Sequence, residues 1–370
     1  MRTHTLTRLR DDATGTSLME LIAATALGLV VIGTAMTTFK DALGMTSVAT
    51  NLADSSQNLR GGTNLLVHDL TEVGRGIPTG GIPIPNGPGV GPINRPSPPG
   101  MPYTFDNVGA TTLTAIVTGG SKGPVIDGRV TDMVTMLTVD PILDTALNGA
   151  LQVQPFNANG AVPKLSADGS SFTLPANDQA WITGNPADGR PAVSKGDLLM
   201  FIDVNSNAAI QTVTRVDTTT VYFDSNGDDP FSFNQRLATA GSITQILGQT
   251  LNVQRVIMYT YYVDPGSDPA HPVPRLMRQY NNGTPQALAG VVEDLELSYD
   301  IADGSVNPTA KRDLPLTLNL VTYSANQIRK ANVHVGVRSE MKSLRENDYL
   351  RTHVSTVVSL RNLAFVDRYK

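Results

Sequence analysis

Residues 15–40 read GTSLMELIAATALGLVVIGTAMTTFK, and this stretch determines how the N-terminal end of the chain folds. From Leu21 to Phe39 it contains 19 consecutive residues without a charge. At 1.5 Å per residue, a helix of that length is about 28 Å long, close to the hydrocarbon thickness of a bilayer. The pattern therefore predicts a transmembrane helix over about residues 21–39.

The charges that precede the apolar run predict its orientation. Arg2, Arg8 and Arg10 lie ahead of the run, followed by two aspartates. The positive-inside rule then keeps the N-terminus in the cytoplasm and places the remainder of the chain on the other side of the membrane. A cleaved secretory signal peptide is the alternative, but it requires small residues at its cleavage site, and residues 34–36 (TAM) fit that requirement poorly.

The composition excludes several other classes of protein. The chain has 370 residues, of which 16% are charged, with a net charge of −5 and no cysteine. It therefore has neither disulfides nor thiolate metal sites, and it lacks the basic surface that nucleic-acid binding requires. Its 33 glycines and 24 prolines are typical of a turn-rich structure dominated by β-strands.

Beyond Lys40 the apolar pattern continues at helical spacing. A stripe at steps of mostly three or four residues predicts an amphipathic half of the same helix, lying on a globular head and ending near Gly74. The helix would span 16–75, and its Gly61-Gly62 pair indicates a bend or a close packing contact. The stripe consists of Met45, Val48, Leu52, Ser55, Leu59, Gly62, Leu66 and Val73.

The remainder of the chain is predicted to be a loop followed by a β-rich head. Residues 76–103 contain 7 Gly and 9 Pro, which favours a long surface loop. Residues 104–370 then form an antiparallel β head, so the expected fold class is α+β, with the long helix packed on the head. Short β-branched and aromatic runs predict strands at 112–118, 130–139, 197–203, 210–216, 218–223, 256–263, 291–299, 331–338 and 352–360.

Three motifs that could carry chemistry are better explained by structure. Residues 119–123 (GGSKG) match the nucleophile elbow of hydrolases, but Pro124 and the β-like run after it argue against the helix that an elbow needs. Residues 224–229 partly match a calcium loop but lack its central glycine and its final glutamate, which favours a hairpin turn. The five histidines show no metal-ligand spacing. We therefore expect no catalytic residue, metal or cofactor, and no enzymatic activity.

The junction from Gly15 to Glu20 resembles the prepilin cleavage motif of type IV pilins and pseudopilins. The resemblance implies that a prepilin peptidase removes the leader, residues 1–15, by cutting between Gly15 and Thr16. Thr16 would become the N-methylated first residue, and Glu20 would pair with that terminal amine when helices assemble side by side. An acid in the first turn of a helix is also favoured by the helix macrodipole, which offers a second explanation for Glu20.

Three later segments resemble the PilW family of minor pilins. They are residues 62–78, the sequence VEDLELSY at 292–299, and the closing run at 351–363. The resemblance implies a structural minor pilin of a type IV pilus, at the tip or in the complex that initiates assembly. Its partners would be the prepilin peptidase, other minor pilins, the major pilin and the inner membrane, with the head in the periplasm before export to a surface pilus. The alternatives are a type II secretion pseudopilin of the J type and a signal-anchored adhesin or enzyme.

Overall fold

The long helix and the β-rich head expected from the sequence are both present, so the α+β fold class is confirmed at this level. The computed structural model describes residues 17–105, 111–140, 151–184, 192–225, 227–237, 240–267, 273–302, 309–340, 342 and 348–363.

Helix α1 runs without a break from Leu18 to Glu72. Its 55 residues correspond to a rod about 80 Å long. The helix ends at Glu72, and Gly74, two residues later, adopts φ +78°, a left-handed conformation that glycine accepts without strain. The predicted end near Gly74 is therefore confirmed, and the Gly61-Gly62 pair lies inside a continuous helix.

The strands of the head are short in its first part and long in its last part, and every named pair of strands is antiparallel. All nine strand regions expected from the sequence contain strands. The strands are β1 Ile82–Pro83, β2 Asn94–Arg95, β3 Tyr103–Thr104, β4 Thr112–Leu113, β5 Ile116–Val117, β6 Val125–Ile126, β7 Arg129–Val130, β8 Val134–Val139, β9 Leu151–Val153, β10 Lys164–Leu165, β11 Ser171–Thr173, β12 Leu198–Ile202, β13 Ala208–Thr212, β14 Arg215–Val216, β15 Thr220–Tyr222, β16 Leu251–Asp264, β17 Arg275–Tyr280, β18 Gln286–Gly290, β19 Val292–Ile301, β20 Thr309–Lys311, β21 Leu316–Leu318, β22 Val321–Tyr323, β23 Ile328–Arg338 and β24 Arg351–Ser359. Short helical turns lie at Ala176–Asp178, Ala180–Thr183, Ile243–Gln245 and Ala325–Gln327.

The central sheet is organised around β16, a strand of 14 residues. Its order is β13-β12-β16-β17-β18, and β8 and β9 also pair with β16, with β5 paired to β8. The sheet separates two apolar cores, because alternate residues of a strand point to opposite faces. In β12, Leu198 and Met200 belong to the core that also holds α1, whereas Leu199 and Phe201 belong to a second core with the buried Trp181.

Two four-stranded sheets flank the central one. The order β20-β19-β23-β24 describes the sheet near α1, and β10-β11-β15-β14 describes the sheet that covers the second core. At the start of β19 the register shifts between Val292 and Asp294, directly after Val291 at φ +54°. Glu293 at this bulge forms ion pairs with Arg338 at 3.0 Å and Arg351 at 2.9 Å, so it ties β19 to β23 and β24. The VED sequence thus cross-links this sheet.

Residues 76–103 differ from the expected surface loop. They contain no helix and only very short strands, as the proline content predicts, but Ile82, Ile84 and Ile93 are buried in the main core. Arg95 is also buried, and its guanidinium donates to the carbonyls of Val117 and Thr118 at 2.8 and 2.7 Å. Burial lowers the pKa of Arg95 to about 10. The segment is therefore part of the packed head, because its isoleucines supply apolar surface that the glycines and prolines do not.

Helix docking also begins later than the apolar stripe suggests. Met45 is 62% exposed, and buried side chains start only at Leu59. Val48, Leu52 and Ser55 of the stripe are half-buried, and only the last four turns of α1 contain fully buried side chains. The apolar N-terminal part of the helix projects away from the head.

Candidate functional site: the projecting helix and its junction with the head

The N-terminal turn of α1 is closed by a capping box. Ser17 Oγ accepts a hydrogen bond from the Met19 N–H at 3.3 Å, and the Ser17 N–H donates to Glu20 Oε2 at 3.1 Å. Glu20 therefore satisfies one of the amides that a helix start leaves without a partner, as the macrodipole explanation requires. The sequence-based cleavage and methylation residues, Gly15 and Thr16, lie outside the described residues, so the predicted pairing of Glu20 with the Thr16 amine stays a prediction.

The N-terminal part of α1, up to Phe39, has an almost wholly apolar surface. Large side chains are exposed along its length, including Leu29 at 70% and Met36 at 71%. An 18-residue window has a mean hydropathy of 2.0, and none of it is buried in the head. The helix is therefore long and apolar enough to cross a membrane.

The threonines in the projecting segment do not interrupt its apolar character. The Thr25 hydroxyl donates to the Leu21 carbonyl at 2.9 Å, and the Thr34 hydroxyl donates to the Val31 carbonyl at 2.9 Å. Thr37 makes the same kind of bond. Because these hydroxyl protons are used within the helix, they need no water, and the surface suits lipid or the side of another helix.

The C-terminal part of α1 packs closely on the head through three buried leucines and a glycine that lies between them. Leu59, Leu66 and Leu70 are at most 2% exposed. Between them, Gly62 faces Ala289 of β18: a Cβ at position 62 would lie 3.0 Å from the Ala289 Cβ. The neighbouring Gly61 has open space around it. Of the two explanations for this pair, close packing at Gly62 is the one observed.

A buried polar cluster joins the helix to the central sheet. Asp69 Oδ2 accepts hydrogen bonds from the Tyr261 hydroxyl at 2.6 Å and from Arg278 Nε at 2.7 Å. The Arg278 guanidinium also lies over the ring of Tyr259, 3.8 Å from its centre. Asp69 lies in the last turns of α1, where the macrodipole disfavours an acid, and Arg278 compensates for this. We call these four residues the Asp69 cluster.

The electrostatics of the Asp69 cluster follow from burial and from the carboxylate. Burial lowers the pKa of Arg278, but the hydrogen bond and the charge of Asp69 outweigh it, and the net pKa is raised. Burial and the nearby Asp69 carboxylate raise the pKa of the Tyr261 hydroxyl far above its usual range. Tyr261 therefore stays neutral and donates its proton, and Arg278 stays charged. The cluster holds the helix to the head and has no exposed reactive group.

Asp69 is not among the functional residues that the sequence predicts. A signal was present, since Asp69 lies three residues after Leu66 on the buried side of an amphipathic helix. An acid in that place needs a partner when it is buried.

The loop at 224–229 resembles a turn more than a cation site. Both carboxylate oxygens of Asp229 accept backbone N–H groups, from Phe231 at 3.1 Å and Asn234 at 2.7 Å, and burial raises its pKa. Asp224 Oδ2 accepts the Thr214 hydroxyl at 3.1 Å. Residue 226 lies outside the described part of the chain. Within that part, no group of three or more His, Asp or Glu side chains is placed to hold a metal ion.

The GGSKG sequence at 119–123 forms a turn between β5 and β6. Ser121 has φ +57°, and its N–H donates to Asp132 Oδ1 at 2.7 Å. A strand follows it rather than the helix that a nucleophile elbow requires. The motif therefore has a structural explanation.

No known protein family, curated protein or solved structure matches this chain. The resemblance to pilins therefore rests on the junction motif and the three later segments, together with the geometry of α1.

Proposed function

We propose that this protein is a membrane-anchored structural subunit of a type IV pilus, a minor pilin of the PilW kind that acts at the tip or in the initiation of assembly. One observation carries the proposal: a single unbroken helix has an exposed apolar N-terminal part and a C-terminal part that is docked on a β-rich head. An apolar surface of this size is not stable in water and needs lipid or other helices around it.

The docked C-terminal part of α1 explains how the helix could connect the head to a filament. Because α1 is held to the head by Leu59, Leu66, Leu70 and the Asp69 cluster, a force on the projecting part is transmitted to the head. In the bilayer the projecting part would contact lipid, and in a filament it would contact the same surface of neighbouring helices. Assembly then exchanges one apolar environment for another, with Glu20 paired to the Thr16 amine.

The experiment that tests the proposal is the mass of the mature N-terminus. Expression with the cognate prepilin peptidase should give a chain shortened by the 15-residue leader and starting at methylated Thr16. Gly15→Val should block this cleavage, because the larger side chain fills the space beside the scissile bond, while membrane insertion is retained. Gly28→Val is the matched control: Gly28 lies in the same apolar run with open space around it, and cleavage should be normal.

Each of the other possible outcomes would indicate a different class of protein. A full-length chain from cells with active peptidase would indicate a plain signal anchor that carries an adhesin or enzyme. A product that starts after residue 35 would indicate a secretory signal peptide. A correctly processed chain that is recovered with a type II secretion complex and is absent from sheared pili would indicate a J-type pseudopilin.

A further inference from the structure

Among the residues that the structure describes, strand β24 is an unpaired edge of the sheet next to α1. It is the last strand in the order β20-β19-β23-β24 and pairs with β23 in continuous register, from Lys330 opposite Ser359 to Arg338 opposite Arg351. Just outside the strand, the Leu360 N–H donates to the Arg329 carbonyl at 3.0 Å. Its length and unbroken register make it a template for another strand.

The register shows which residues of β24 direct their main-chain N–H and C=O groups away from β23. The Ser339 N–H donates to the Leu350 carbonyl at 2.8 Å and the Leu360 N–H to Arg329, and bonded pairs recur at every second residue. Even-numbered residues of β24 therefore bond to β23, and odd-numbered residues direct N–H and C=O away from it. For His353, Ser355 and Val357 these outward groups have no hydrogen-bond partner among the described residues.

Within the described residues, β24 lacks three of the usual protections of an edge strand, namely proline, lysine and a bulge. Natural edges are blocked by proline, lysine, a bulge or a covering element. Residues 352–359 (THVSTVVS) contain neither proline nor lysine, and their pairing has no bulge. Val357 is 61% exposed on this strand. By contrast, β20 at the opposite end of the sheet has only three residues.

A groove accompanies the edge formed by β24. It has a volume of about 570 Å³ and lies between the end of α1 and the end of β24. Val67 and Thr71 line it from the helix, and Val357, Ser359 and Arg361 line it from the other side. A strand laid against β24 would therefore place side chains into a partly apolar groove.

The charges near the edge indicate what such a strand would carry. Acidic residues of this sheet lie on β19, at the far side of β23, where Asp294 and Glu296 pair with β23 in the ladder. The exposed Lys330 on β23 and Arg361 beyond β24 have no ion-pair partner among the described residues. Glu72 also lines the groove, but it is paired with Arg75, so the charges near the edge that lack a partner among the described residues are cationic and complement an acidic segment.

We propose that β24 is a docking edge for an extended segment of a partner polypeptide in which acidic residues alternate with apolar ones. The segment joins the sheet as a fifth strand through the outward groups of His353, Ser355 and Val357. Its apolar residues enter the groove beside Val67, and its acidic residues meet Lys330 and Arg361. This inference rests on the head and stands independently of how the N-terminus is processed.

The probe is a nine-residue peptide in which valine and glutamate alternate, with a fluorophore at one end. Its binding to the full chain in detergent micelles is measured by fluorescence anisotropy. Ser355→Pro removes an outward N–H that β23 does not use, so the sheet is retained, and binding should weaken at least tenfold. Ser355→Ala, the matched control, also loses the bond between the Ser355 hydroxyl and His334, but keeps the N–H and should bind like the unaltered chain.

A peptide of opposite charge and a second proline variant test the charge preference and the strand pairing separately. A valine–lysine peptide of the same length should bind at least tenfold more weakly than the glutamate peptide. Should Ser355→Pro lower the melting temperature by more than a few degrees, Val357→Pro, which removes another outward N–H, replaces it. No binding of the glutamate peptide, equal binding by the proline and alanine variants, or equal binding of the two peptides would overturn the proposal.

Discussion

Replacing Asp69 by asparagine tests whether a buried charge holds the long helix to the head. The substitution keeps the shape of the side chain and removes its charge. Asp69 and Arg278 have side chains only 5% and 17% exposed, so the carboxylate bonds to Arg278 and to the Tyr261 hydroxyl are largely shielded from water. Both donors bond to the same oxygen, Asp69 Oδ2, so the amide oxygen of asparagine can accept both bonds, but it carries no charge to pair with Arg278.

The expected loss follows from these contacts. A hydrogen bond to a charged group contributes about 1.5–3 kcal/mol, and breaking a fully buried ion pair costs about 3–5 kcal/mol. Because Arg278 keeps some access to water and both bonds can persist as weaker bonds to a neutral oxygen, we expect Asp69→Asn to lower the free energy of unfolding by about 2–3 kcal/mol. At roughly 2–4 °C per kcal/mol for a large domain, the melting temperature should fall by about 4–12 °C.

The assay is thermal and urea unfolding of the full chain in detergent, followed by circular dichroism. Asp54→Asn is the matched control: it makes the same change of charge on the same helix, at an exposed residue without a hydrogen bond or ion pair among the described residues. It should leave the melting temperature within about 1 °C, as is usual for surface substitutions. In an Arg278→Met background, Asp69→Asn should cost at least about 1 kcal/mol less than in the unaltered chain, because the two residues act together.

Two results would contradict the role assigned to the Asp69 carboxylate. Equal melting temperatures for Asp69→Asn and Asp54→Asn would show that the carboxylate does not stabilise the docked helix. Additive effects of Asp69→Asn and Arg278→Met would show that the ion pair contributes nothing beyond packing.

Two further predictions concern the ends of the same helix. Gly62→Val should lower the melting temperature by several degrees, since its side chain meets Ala289 with the Cβ atoms only 3.0 Å apart, whereas Gly61→Ala should be neutral or slightly stabilising; equal melting temperatures for the two variants would contradict the close packing. Glu20→Ala should give normal membrane abundance and normal cleavage but weak methylation and poor recovery in sheared pili, because an assembled helix would lack a partner for the Thr16 amine. Recovery in pili at the level of the unaltered chain would assign the axial register to the head instead.

Local patterns in the sequence were sufficient to predict the elements of this fold. The uncharged run from Leu21 to Phe39 predicts a helix because its apolar length matches a bilayer, and the helix is observed. Short β-branched runs predict strands because alternation of side chains is a local property, and strands such as 198–202 are observed within the predicted 197–203. These inferences use only residues that are close in sequence.

The surroundings of the helix were decided by tertiary structure. The apolar stripe begins at Met45, but full burial begins only at Leu59, because the extent of the head sets where the helix is covered. The segment 76–103 has the composition of a loop, yet its isoleucines enter the core, since burial depends on what surrounds a residue as well as on its neighbours in sequence.

Short runs of residues were therefore enough to predict a helix with a long uncharged segment and a set of β-strands. Only the tertiary structure placed the partners of Asp69, which lie 192 and 209 residues away in Tyr261 and Arg278. It likewise decided that β24 is the last strand of its sheet among the described residues. Long-range pairings of this kind leave no periodic signal in the sequence, because they depend on how distant strands are brought together by the packing of the two cores.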